Sequence, residues 1–130
     1  MKMIRSMIAG CTVGLLLAAC GGSGGADDAV TGRVSATLDG TTHTLPARCR
    51  EYEGEINVHS MDNGSGVAIA ARQMGEKLNL DVFVGDADYS TPNLDQWTRT
   101  ADGLEGSGRL WLDDAEEYRE YPVSVEVSCG

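Results

Sequence analysis

Apolar side chains recur at every second position from Val34 to Cys129 and almost nowhere at helical spacing, which confines the chain to half-buried strands. Val34, Ala36 and Leu38 alternate with Ser35 and Thr37, and Asp39-Gly40 has the composition of a tight hairpin turn. Thr41 to Leu45 reads as the return strand, ended by Pro46. Ile56 and Val58 give a third strand, and Val67, Ile69 and Ala71 a fourth, on either side of Asp62-Asn63-Gly64-Ser65-Gly66. After the Met74-Gly75-Glu76 turn, Leu78, Leu80, Val82 and Val84 share one face of the clearest strand. Gly85 to Leu94, rich in Gly, Asp and Pro, reads as a loop. Two less regular strands follow, around Gln96 to Ala101 and Gly106 to Leu112. The acidic stretch Asp113 to Tyr121 is a loop or short helical turn. The last strand puts Val123, Val125, Val127 and Cys129 on one face. No helix longer than two turns is signalled. The fold expected is all-β, a small antiparallel β-sandwich or partly open barrel of about seven to eight strands with one disulfide. Strands of a membrane barrel run longer, to about 10 residues.

The N-terminus carries an address. Lys2 and Arg5 precede a short apolar run, Met7 to Ala19, too short for a membrane span, which needs about 20 residues. Leu17-Ala18-Ala19-Cys20 closes it and resembles the bacterial lipobox, whose cysteine is acylated and becomes the mature N-terminus. An ordinary secretory signal would instead leave Cys20 as a free thiol. The expected organisation is a signal peptide at 1–19, a Gly-rich tether at 20–29 and a β-rich domain at 30–130. With Cys11 lost in the signal and Cys20 acylated, Cys49 and Cys129 remain, and in an exported protein they most simply form a disulfide. The rival, a metal site, lacks both a C-x-x-C pair and a histidine at ligand spacing.

Charge narrows the partners. Removing the signal leaves eight bases against 20 acids. Phosphate recognition draws on clustered Lys and Arg, and here Lys77 is the one lysine after the signal, with scattered arginines, so nucleic acid is not an expected partner. An anionic membrane surface repels such a chain as well, leaving the lipid to hold it.

Catalytic constellations are poor. His43 sits in a Thr-rich strand and His59 on the polar register of its own, both reading as surface histidines. Ser107, between Gly106 and Gly108, lacks the strand-to-helix context of a nucleophile elbow and reads as a turn. No catalytic residue, resident metal or cofactor is assigned. Asp86, Asp88 and Ser90 have the alternate spacing of a calcium loop, but Pro92 and Trp97 stand where an EF-hand needs Gly and Glu. Asp113, Asp114, Glu116 and Glu117 form a second acidic group able to collect a hard cation. Trp97, Trp111, Tyr118 and Tyr121, with Tyr89, are candidate anchors of a binding patch, or the largest fillers of a core poor in aromatics.

Val30-Thr31-Gly32-Arg33-Val34, Cys49 with Gly54-Glu55-Ile56-Asn57-Val58, Gly103 to Gly108, and Val123-Ser124-Val125-Glu126-Val127-Ser128-Cys129 resemble the mycobacterial lipoprotein antigen family, LpqH-like. The resemblance covers most of 30–130, is sharpest at the C-terminal Val-x-Val-Ser-Cys, and is weakest in the more acidic, aromatic stretch from Trp97 to Tyr121. It implies a non-enzymatic, lipid-anchored envelope protein exposed to host or environment, with Cys20 as lipid site and Cys49–Cys129 as the disulfide. The expected location is the cell membrane or, in a Gram-negative cell, the outer membrane, because Gly21 is not the Asp associated with inner-membrane retention. The expected partners are the membrane itself, through the lipid, and an envelope or host protein; the alternative function is binding of a small ligand or divalent cation.

Overall fold

The computed structural model describes residues 32–130; the expected signal, Cys20 and the expected tether lie outside the described residues. These residues form nine strands and no helix: β1 (Gly32–Leu38), β2 (Thr41–Tyr52), β3 (Glu55–Ser60), β4 (Val67–Met74), β5 (Lys77–Val84), β6 (Ala87–Thr91), β7 (Gln96–Arg99), β8 (Gly103–Leu112) and β9 (Glu120–Cys129).

All pairings are antiparallel, in the order β6-β5-β4-β3-β2-β1-β9-β8-β7, and β6 also pairs with β8. That last pairing, Tyr89 with Leu112 and Ser90 with Trp111, closes eight strands into a barrel and removes its free edges. β7 continues the line of β6 along the same edge of β8, from Gln96 opposite Ser107 to Arg99 opposite Leu104. Followed from strand to strand through the paired residues, one circuit returns to β1 about ten residues further on. Such a stagger tilts the strands and leaves an interior just wide enough for side chains.

The alternation is what fills it. Val34, Ala36, Leu38, Leu45, Ala47, Ile56, Val58, Ile69, Ala71, Leu78, Leu80, Val82, Leu110, Val123, Val125 and Val127 all point inward and are buried. Between β6 and β7 the chain breaks at Pro92–Asp95, and Leu94 enters the core, its N–H donating to the Leu78 carbonyl at 2.8 Å. Gly106 of β8 makes the room: a Cβ there would lie 2.9 Å from Leu94 Cδ2.

The expected disulfide is present. Cys49 and Cys129 are bonded with Cα atoms 5.9 Å apart and a sequence separation of 80. It joins β2 to β9, the two neighbours of β1, and does so at the barrel rim where β1 begins, not across the core. Cys49 belongs to β2 itself, opposite Val58, rather than to the segment before β3.

Several boundaries differ from expectation. β2 does not stop at Pro46. The Pro46 carbonyl accepts from Met61 N–H at 2.8 Å, one residue beyond the end of β3, so the missing N–H faces a side where no ladder remains. Pro122 repeats the device in β9, its carbonyl accepting from Asp39 N–H just past the end of β1. Gly85 to Leu94 is not all loop, because Ala87–Thr91 forms β6. Ser107 lies within β8, not in a turn, and Tyr121 lies within β9.

Candidate functional site

An up-and-down meander sends alternate turns to opposite ends of the barrel. One end receives the start of β1, the end of β9 and the disulfide; the other receives the turns at 39–40, 61–66 and 85–86 and the loop 113–119. Side chains lace the first end. Trp97 of β7 faces inward there and donates its indole N–H to the Glu76 carbonyl at 3.2 Å. Arg99 laces the same end, donating to Glu51 at 2.6 Å, to the Gly54 carbonyl at 3.3 Å and to the Gly103 carbonyl at 3.2 Å.

The opposite end is open. Leu38, Asp39, Thr41, His43, Val84, Tyr89 and Tyr121 line a cleft of about 260 Å³ at the barrel mouth. Register explains the lining: Tyr89 is paired with the inward Val82, Tyr121 with the inward Leu110, and His43 with the inward Ala36. The two tyrosine rings meet edge to face, centroids 5.0 Å apart and planes at 77°. They floor the cleft, while Asp39 supplies a carboxylate at its lip. Arg119, on the 113–119 loop, reaches over this floor with its guanidinium carbon 4.6 Å from the Tyr121 centroid and a nitrogen 3.7 Å from Asp39 Oδ2. The loops at this end carry Asp39, Asp62, Asp86, Asp113, Asp114, Glu116 and Glu117, with Arg119 the one Lys or Arg among them. The end away from the disulfide is therefore strongly negative.

The 113–119 loop is fastened to the outer wall. Arg109 donates to Asp95 at 2.9 Å and to Glu120 at 3.2 Å, and the Tyr118 hydroxyl donates to Glu120 at 2.7 Å. Hydrogen bonding from Arg109 holds the Asp95 carboxyl below its usual range, and the Tyr118 hydroxyl, with help from Arg109, does the same for Glu120.

Of the acidic candidates, Asp88 and Asp113 come together. They meet on the outer wall, where the Asp113 N–H donates to the Asp88 carbonyl at 2.9 Å, and Asp81 of β5 and Asp114 add negative charge. Burial first, then Asp113 beside it and the neighbouring charges, push the Asp88 carboxyl up to about 6. Burial, with Asp113 close by, also raises Asp81. Asp86, in the β5–β6 turn, and Glu116 and Glu117, on the exposed loop, are not part of that cluster. Among the described residues no group of three or more His, Cys, Asp or Glu is arranged to hold a metal ion.

The aromatic candidates separate into three places. Trp97 packs at the disulfide end, Trp111 and Tyr118 meet on the outer wall with centroids 6.4 Å apart and planes tilted by 41°, and Tyr121 sits in the mouth. His43, which reads as a surface residue, is half-buried and lines the mouth, while His59 is exposed on the wall as expected. Asp39, His43 and Arg119 are the mouth residues that sequence reasoning missed; the available signal was the meander itself, which forces the 39–40, 85–86 and 113–119 segments to one end.

Three larger depressions lie elsewhere, the smallest of about 270 Å³ among Arg33, Asp102, Leu104 and Glu126, with no aromatic side chain in its lining. One, of about 380 Å³, is a polar groove on the outer wall between Ser35, Thr37, Glu105, Ser107, Ser124 and Glu126. Another, of about 340 Å³ beside the disulfide, contains Glu51 and Arg99, already paired to each other. None has an aromatic floor. No protein-family model, curated protein or solved structure matches this chain.

Proposed function

We propose that this chain is a lipid-tethered envelope protein whose barrel binds a small ligand at the tyrosine-floored mouth, without catalysis. The single observation that carries the binding reading is a cleft at one mouth of the closed barrel, lined by Tyr89, Tyr121, His43 and Asp39, with the two tyrosine rings in edge-to-face contact. Barrel mouths are recurrent ligand sites because strand ends converge there, giving an apolar floor and a polar rim. At about 260 Å³ the cleft is below the roughly 300–1,000 Å³ of drug-sized pockets, which suits a small molecule or one side chain of a partner.

The N-terminal features support the tether. The lipobox-like Leu17-Ala18-Ala19-Cys20 and the Gly-rich 20–29 precede β1, which begins at the end of the barrel opposite the mouth. A membrane-held barrel with its negative end outward is suited to meeting ligands or an envelope or host partner. The likeness to LpqH-like lipoproteins belongs to the same proposal.

Two measurements test it. Intact mass of the membrane-extracted chain gives an acylated N-terminus at Cys20, and Cys20→Ala moves the protein out of the membrane fraction. Ring-proton shifts of Tyr89 and Tyr121, followed during titration with pools of small molecules, report occupation of the mouth. An unmodified Cys20 removes the tether, and rings unmoved by every pool remove the ligand site.

A further inference from the structure

We propose that the ligand class of the mouth is a small organic cation, a guanidinium or alkylammonium group on a flat apolar body, and that Arg119 holds the Tyr121 ring and the Asp39 carboxylate such a ligand would use until the ligand displaces it. This rests on the reading of the mouth as a ligand site and adds the charge of what enters. The chain has already built one such complex with itself. Arg119 sets its guanidinium 4.6 Å from the Tyr121 centroid and 3.7 Å from Asp39, a ring face and a carboxylate holding one cation between them. Ring faces carry negative electrostatic potential and attract cations of this type. Asp39 is the one carboxylate lining the cleft, and the remaining polar groups there are hydroxyls of Thr41, Tyr89 and Tyr121 and the His43 ring. An anion entering would face Asp39 and the acidic loops, and the one guanidinium nearby, Arg119, is already paired with Asp39; a cation that displaces it is drawn in by both.

Arg119 is poised to leave. Its side chain is 63% exposed and its Asp39 partner 50%, so the pair is open to solvent and weak. It hangs from a loop whose fastening, through Arg109, Glu120 and Tyr118, is made without it. Letting go of Tyr121 and Asp39 leaves that fastening intact. A ligand bringing a second apolar surface for the Tyr89–Tyr121 floor gains what Arg119 cannot offer, because Arg119 approaches from the rim.

The test uses the full chain in non-ionic detergent with three probes of one shape and three charges: benzamidinium, benzamide and benzoate. Benzamidinium is expected to shift the Tyr89 and Tyr121 ring protons at concentrations where benzoate does not. Arg119→Ala removes the internal competitor at an exposed position and is expected to tighten benzamidinium by about two- to five-fold, the size of an exposed cation–π contact. Asp39→Asn, which keeps a residue type that tolerates the positive φ of 51° at this turn, is expected to weaken benzamidinium several-fold. Benzamide or benzoate binding as tightly at the same rings overturns the cation inference while leaving the mouth a ligand site. Unchanged or weaker benzamidinium binding in Arg119→Ala overturns the stand-in role of Arg119. Rings unmoved by all three probes sink this inference; a pool that moves them still leaves the ligand site standing.

Discussion

Glu105 of β8 and Glu126 of β9 face one another directly across the ladder on the outer wall. Like charges opposed in this way oppose strand pairing. Glu105→Lys turns the pair into an attraction and is expected to raise stability by about 0.5 kcal/mol, or roughly 2–4 °C in a domain of this size. Thermal melting at low salt reads it, and the gain shrinks in 0.5 M salt as screening sets in. A gain of equal size at both salt concentrations would mean the charge pair is not its source.

Gly106 faces Trp97 so closely that a Cβ added to it would lie 2.7 Å from the Trp97 Cβ and 2.6 Å from the Gln96 carbonyl oxygen. Part of that crowding is backbone, so β7 must move. Gly106→Ala is expected to destabilise by about 1–3 kcal/mol in urea titration, with a change in tryptophan emission as the indole loses its Glu76 partner. A neutral or stabilising result is incompatible with the close approach.

The Cys49–Cys129 bond closes a loop with a sequence separation of 80. In the chain-entropy picture that constraint on the unfolded state is worth about 4–5 kcal/mol, a large share of the roughly 5–15 kcal/mol that holds a small domain folded. The double substitution Cys49→Ala with Cys129→Ala is expected to lower the denaturation midpoint by that order. A loss under about 1 kcal/mol would show that the reduced chain is already constrained near the rim.

Asp88 gives stability a pH dependence of definite sign. Its carboxyl titrates near 6 in the fold, against about 3.9 in an unfolded chain. Between those values the folded protein holds a proton that the unfolded chain releases, so this contribution is complete below about pH 4 and fades as pH rises through 6. Asp88→Asn removes the charge that burial and Asp113 resist. It is expected to stabilise the protein at pH 7.5, by about 1 kcal/mol or less because solvent reaches the site. At pH 4 the advantage should vanish; melting at both pH values decides.

What was legible in the sequence follows from how local each signal is. β1, β5 and β9 announce themselves because Val34 to Leu38, Leu78 to Val84 and Val123 to Val127 alternate without interruption. β6 is hidden because its inward residues are Tyr89 and Thr91, polar at their tips, set among Gly, Asp and Pro. Thr91 is nonetheless 3% exposed, its hydroxyl satisfied by Asn93. Pro46 and Pro122 read as stops because composition does not say that the neighbouring strand has just ended. The mouth was less legible still. Its residues come from 38–43, 84–89 and 119–121, joined only when Tyr89 pairs with Leu112. Grouping aromatics by sequence put Tyr121 with Trp97, which the meander sends to the opposite end.

The position of Gly32 at the disulfide end has a mechanical meaning. A pull on the segment entering β1, resisted by something gripped at the mouth, runs along the barrel axis and draws β1 lengthwise against β2 and β9. Every ladder bond of both seams is then loaded at once instead of one by one. Cys49 and Cys129, bridging those flanking strands beside the entry point, stop them from spreading as β1 is tugged. Forced unfolding is governed by the barrier to the first rupture, and this geometry puts two seams and a covalent clasp at that first step.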